Sequence, residues 1–246
     1  MTPDDFGALE RDIVRCGRCP RLLAHCREIA GVRRRAYRGQ EYWGRPVPGF
    51  GDAGARMLLI GLAPAAHGAN RTGRMFTGDS SGEWLYRALH ECGVASCPRS
   101  EAREDGLALR GAFVTAACRC APPDNRPSPG ELESCAEYLD REFDLLPDLQ
   151  VVVALGSIAW RSAIRRARSV APGAVPRPAP RFGHGAEARL PFRSGGPRIA
   201  LIGCYHPSRQ NTQTGRLTRG MLGSVIGRAA RIAGIGGGRS RGEGRG

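Results

Sequence analysis

Four short runs of unbroken apolar residues punctuate the chain: MLLIG at 57–61, GAFVTAA at 111–117, VVVALG at 151–156 and IALIGC at 199–204. Each has the length of a strand, and none alternates polar with apolar positions. That pattern predicts strands buried on both faces. Around them the apolar positions take helical spacing, at about 81–92, 129–147, 157–168 and 216–233. The alternation predicts an α/β protein, a three-layer α/β/α sandwich on a four-stranded, mainly parallel central sheet. Ahead of the first strand, helical spacing from about Asp4 to Arg35 is broken by Cys16-Gly-Arg-Cys19-Pro20, and a Gly-, Pro- and aromatic-rich loop follows. The organisation expected is a single domain over 1–234 with a cysteine-bearing extension (1–54) packed on it. A surface excursion at 170–196 and a disordered basic tail at 235–246 complete it, the tail having almost nothing apolar to bury.

Ligands of such sheets gather where loops leave the carboxyl ends of the strands. Those loops begin at Leu62, Cys118, Ser157 and Tyr205. The first of them lies in GLAPAAHGANRTGRMFTGD, residues 61–79. Gly68 and Gly73 have the spacing of a phosphate-binding loop, but Arg74 and Met75 stand where lysine and a hydroxyl residue are needed. A dinucleotide fingerprint is missing as well, so no nucleotide cofactor is expected. Asp79 closes the loop just before Ser80-Ser81, either as a helix cap or as a functional carboxylate. The last strand runs into Cys204-Tyr-His206-Pro-Ser208 and then RQNTQTGR. An imidazole so placed can donate a hydrogen bond to a leaving group that becomes anionic.

Charge adds a partner class. The 37 basic residues, all arginine, against 23 acidic ones give +14, which favours polyanions; coding bias toward arginine and a basic tail explain part of it. No apolar run approaches the roughly 18 residues of a membrane span, and MTPDDFGALERD lacks a signal-peptide pattern. A cytoplasmic protein with no membrane partner is expected. Nine cysteines in that compartment argue for a metal or cluster site rather than disulfides. Cys16 and Cys19, with Cys120 and Cys135 flanking a Pro-rich turn, form a candidate four-thiolate set for an iron–sulfur cluster or zinc. Cys92 and Cys204 read as buried free thiols, and Cys118 is ambiguous.

Taken together, GLAPAAHGANRTGRMFTGD with SSGEWL, CRCAPPDNRPSP running on to Cys135, and YHPSRQNTQTGRLT closely resemble the family 5 (UDGb) branch of the uracil-DNA glycosylase superfamily. The likeness spans about Cys16 to Leu217, apart from the excursion. It implies a DNA-repair hydrolase that cuts the N-glycosidic bond of deaminated bases flipped out of double- or single-stranded DNA. It also implies a 4Fe–4S cluster, with zinc as the alternative, on Cys16, Cys19, Cys120 and Cys135. By the same resemblance Asp79 handles water and the cationic sugar, His206 stabilises the departing base, and Phe76 stacks on it. Leu62, Ala63 and Ala116 line the base pocket. DNA contacts fall to Asn70, Arg71, Arg74, Ser81, Ser208, Arg209, Gln210 and Asn211. Uracil-specific relatives place a polar residue early in the first motif and an asparagine at the end of the second strand. Here those stretches are Leu62-Ala-Pro-Ala65 and Thr115-Ala116-Ala117, which predicts tolerance of hypoxanthine and xanthine beside uracil. With no amine nucleophile in the motifs, a monofunctional enzyme that leaves an abasic site is expected, as a nucleoid-associated monomer. The alternative is a non-catalytic iron–sulfur module that binds damaged DNA.

Overall fold

The computed structural model describes residues 3–236. Two helices, α1 (Pro3–Val14) and α2 (Pro20–Val32), flank the first cysteine pair, with Pro20 at the start of α2 where its missing N–H costs nothing. The core alternates strands and helices: β1 (Phe50–Gly51), β2 (Met57–Gly61), α3 (Ala69–Thr72), α4 (Ser80–Glu91), β3 (Ala112–Ala116), α5 (Pro129–Leu145), β4 (Val151–Leu155) and α6 (Ser157–Val170). Then come β5 (Glu187–Pro191), β6 (Arg198–Cys204), α7 (Arg209–Gln213) and α8 (Arg219–Ala233).

The sheet order is β1-β3-β2-β4-β6-β5. The four predicted strands form its parallel middle, β3-β2-β4-β6, in register from Met57 opposite Ala112 to Leu155 opposite Cys204. Two short antiparallel edges enlarge the expected four-stranded sheet to six. One is β1 on β3. The other is β5, contributed by the segment expected to be a surface excursion. Residues 170–196 are therefore partly core: Val175, Leu190 and Phe192 are buried, and β5 covers the exposed hydrogen-bonding edge of β6.

Successive strand residues face opposite layers. Met57, Leu59, Val151 and Val153 point to the layer of α4 and α8, while Leu58, Ile60 and Val152 point to that of α5 and α6. Helix starts are capped by Asp79, by a Ser128–Glu131 capping box and by Thr218. The chain passes from β2 outward to β3 and back across to β4, so the topological switch lies between β2 and β4. Their carboxyl ends open on Leu62 and Ser157, where such sheets bind ligands. Among the described residues no helix is long and apolar enough to cross a membrane. Ile235 packs against the core, and the rest of the expected disordered tail, 237–246, lies outside the described residues.

Candidate active site

β2 delivers the chain to the site at Gly61, beneath the ring of Phe76; a Cβ on Gly61 would stand 2.7 Å from two ring carbons. The loop makes the short helix α3 and returns through Phe76, which is buried and held at a left-handed φ of 53°. An ordinary side chain resists that conformation, so the surroundings must impose it. Tyr86 donates to the Met75 carbonyl at 2.8 Å, and buried Thr77 is tied to Ser100. Asp79 then caps α4, its Oδ1 accepting the Gly82 amide at 2.9 Å. The other carboxylate oxygen faces Gly68, where an added Cβ would lie 2.0 Å from Oδ2. Gly82 is equally constrained, since its Cβ would meet the Phe76 carbonyl at 1.6 Å. The loop glycines thus let backbone close around one carboxylate. Burial pushes the Asp79 carboxyl above its ordinary range, against the opposing pull of the Gly82 and Ser81 amides and of Arg71. Such a group is a stronger base than a solvated aspartate.

That geometry carries a prediction. Gly68→Ala forces the Asp79 carboxylate aside, and if Asp79 has the catalytic role that the sequence resemblance implies, a displacement of about 1 Å lowers the rate by about 10²-fold. Single-turnover base release by the folded variant measures it, and an unchanged rate would show that Oδ2 plays no part.

His206 follows β6 and is half-buried. Asn211 donates from Nδ2 to the His206 carbonyl at 2.8 Å, and Ser208 caps α7 by accepting the Asn211 amide. These two side chains therefore brace the turn that presents the imidazole. The ring stacks on Phe76, centroids 5.8 Å apart at 30°. A planar base between two rings needs about 7 Å, twice a carbon contact. The two rings are therefore too close, as they stand, to admit a base between them. Burial lowers the His206 pKa to about 4, so near pH 7 the imidazole is neutral and one ring N–H is available to donate. Beside it opens a cavity of ≈ 250 Å³ lined by Leu62, Ser157, Phe182, Tyr205, Asn211 and Arg216 among others. Ala63 is half-buried against the cysteine cluster, and Ala116 is buried beside Gly61 in the register.

Three expected DNA contacts are turned inward. Asn70 is fully buried, donating to the Cys26 and Ala66 carbonyls. Arg71 donates to the carbonyls of His67 and Gly78 and to Gln40, and lies 4.0 Å over the Tyr37 ring. Arg74, 3% exposed, is held by Asp105 at 2.6 Å, by Ser100 and Thr77, and by the face of Phe50. These side chains shape the loop and have no free donor face for phosphate. Ser81 is half-buried in the first turn of α4, while Arg209 and Gln210 are exposed. Sequence reasoning missed Arg216, which stacks 4.7 Å over Tyr205 at the cavity. Its position inside the RQNTQTGR stretch was the available signal.

The thiols converge away from the pocket. Cys26, Cys118, Cys120 and Cys135 are buried together with Leu22 and Ala121, and Cys19 packs against them. Cys118 lies within hydrogen-bonding reach of Cys135, and Cys26 of Cys120. Cys16 is near enough to Cys19 to act on its charge. Soft donors in an apolar pocket suit a cluster or zinc, although among the described residues no three ligand-type side chains are gathered to hold a single metal ion.

The model of the uracil DNA glycosylase superfamily matches residues 48–225. A type-5 uracil-DNA glycosylase of Thermus thermophilus is 51% identical over 231 residues, 94% of this chain and 100% of the relative. That of Mycobacterium tuberculosis is 50% identical over 89% of this chain and 79% of its own length. A third, from Pyrobaculum aerophilum, is 42% identical over 94% of this chain and 93% of its own.

Proposed function

The chain belongs to the uracil-DNA glycosylase superfamily, in its type-5 branch, and on that footing we propose that it is a DNA-repair enzyme that hydrolyses the N-glycosidic bond of uracil in DNA. One observation carries the proposal: a neutral His206 imidazole, in the wall of the cavity at the switch point of the sheet, stacks on Phe76, three residues before the desolvated Asp79 carboxylate that caps α4. The base leaves the stack and lies on Phe76. As the C1′–N bond breaks, its electron pair goes to the base, and the His206 N–H stabilises the charge at a base oxygen. Asp79 orients a water toward C1′, takes its proton, and offsets the positive charge of the sugar. With no lysine in the chain, no Schiff base on a lysine competes, and the product is an abasic site.

Hypoxanthine and xanthine belong to the same reading. The wall at Thr115–Ala117 offers no side-chain amide to reject them, and Thr115 itself is turned to Arg119. The experiment is base release from duplexes carrying uracil, hypoxanthine or xanthine. Release of all three supports the broad reading, release of uracil alone restricts it, and binding without any release makes the chain a non-catalytic DNA-binding module.

Cys16, Cys19, Cys120 and Cys135 are the proposed ligands of a 4Fe–4S cluster. They sit on the α1–α2 link, after β3 and within α5, so the group would clamp the extension to the domain. Anaerobic protein is expected to show broad visible absorbance with iron and sulfide in equal amounts, and zinc alone would contradict this. We also propose that the enzyme works as a monomer at the nucleoid.

A further inference from the structure

The most basic exposed stretch of the described chain plays no part in the chemistry above. It reads VRRRAYR, residues 32–38, at the end of α2 and into the following turn. Arg34, Arg35 and Arg38 are exposed, and among the described residues no acidic side chain pairs with any of them. Arg33 differs, because it takes a left-handed φ of 51° and donates to the Ala30 and Arg38 carbonyls, fixing the turn. Three unpaired guanidinium groups side by side repel one another unless an anion lies across them. Val32, 74% exposed, is the one large apolar side chain left bare among the described residues, and it begins the same stretch.

This patch is built against the catalytic loop. Tyr37 lies under the Arg71 guanidinium, whose other donors hold Gln40 and the Gly78 carbonyl next to Asp79. The Arg34 amide donates to the Tyr42 hydroxyl, which is 3.1 Å from His67 Nδ1. His67 immediately precedes Gly68, the residue against the Asp79 carboxylate. Topology gives the direction. The extension sits over the loops that follow β2 and β3, with the Trp43 amide donating to the Arg71 carbonyl and the Val47 amide to the Arg119 carbonyl. Arg209 and Arg216, by contrast, follow β6, across β4 from β2. Adjacent strands are about 4.8 Å apart, so the two basic groups stand on either side of the pocket, at the same end of the sheet.

We propose that Arg34, Arg35 and Arg38 grip backbone phosphates of duplex DNA on the β3 side of the extruded nucleotide, opposite the grip supplied by the segment after His206. Phosphate contacts position the duplex without reading its bases. The arrangement holds the strand on both sides of the base that leaves it, which keeps the sugar over Asp79. This inference rests on the glycosylase reading of the site.

The test compares the full-length holoprotein with R34A/R35A/R38A, with the charge-keeping R34K/R35K/R38K, and with R110A/R168A/R189A, exposed arginines away from the site. Binding to a duplex carrying an abasic analogue is measured across a salt series. For the alanine triple, the slope of log K against log salt is expected to become shallower by about 2 to 3, with affinity down about tenfold at moderate salt. The lysine triple keeps the wild-type slope, and so does the remote triple. Release of uracil from a short single-stranded oligonucleotide, too short to reach the patch, stays at the wild-type rate. An unchanged slope in the alanine triple overturns the proposal, as does an equal loss in the remote triple, which would reduce the effect to net charge. Failure of the wild type to release uracil at all is a separate outcome and defeats the glycosylase reading itself.

Discussion

Asp79→Asn should release uracil about 10²- to 10⁴-fold more slowly than the wild type in single turnover, while duplex binding changes little. The range is that of general-base participation. Asparagine keeps the shape and can still accept the Gly82 amide through its carbonyl oxygen, so the α4 cap survives. What it loses is the charge that, in the proposed mechanism, orients water and faces the cationic sugar. Two roles are therefore separated in one substitution. A residue that only caps α4 would show a stability loss of about 1 kcal/mol on replacement by alanine and no specific loss of rate. The carboxylate predicted by the site shows the reverse, near-native stability and a large rate deficit in the asparagine variant. Asp79→Ala shows both deficits.

His206→Ala is expected to lower the rate by about 10²- to 10³-fold, the usual size for removing one donor to a developing anion. Since the proposed mechanism rests the base on Phe76 and not on the imidazole, KM should move much less than kcat. His206→Gln retains an N–H donor and should recover part of the loss. The neutral state of the ring also leaves a mark on stability. The folded pKa is depressed from 6.5 to about 4, so the unfolded chain takes up the proton first as pH falls. Stability present above pH 6.5 is thus lost progressively on acidification toward 4, and His206→Gln should lack that share of the acid loss, as urea melts across this range will show.

The parallel strands were legible in the sequence because burial on both faces leaves nothing but apolar residues; MLLIG at 57–61 matches β2 residue for residue. β5 was not, since an edge strand tolerates Glu187 and Arg189 on its wet face and a proline, here the buried Pro191, at its end, and then resembles a loop. At the site, His206 stood out two residues beyond a strand end and Asp79 as the close of a glycine-rich loop, while Phe76 was named only through the family resemblance. Asn70, Arg71 and Arg74 misled for a related reason. Polar residues in a glycine-rich loop look solvent-facing, yet their partners are Gln40, Ser100, Asp105 and the rings of Tyr37 and Phe50, 20 or more residues away in the chain. Only the fold brings those partners in. The same holds for Arg34, whose place beside the catalytic loop depends on Tyr42 and His67.

The pH dependence of single-turnover uracil release tests the central claim, a desolvated Asp79 acting as base with a neutral His206 as donor. Asp79 must be ionised to act, and burial has raised its pKa above the ordinary 3.8. The rate should fall as pH drops through that raised value, while His206, neutral down to about 4, still donates. Wild type is predicted to show this acid limb above the range of a solvated aspartate, and Asp79→Asn to show a low, flat profile without it. A wild-type limb retained in full by Asp79→Asn, at a comparable rate, would contradict the account.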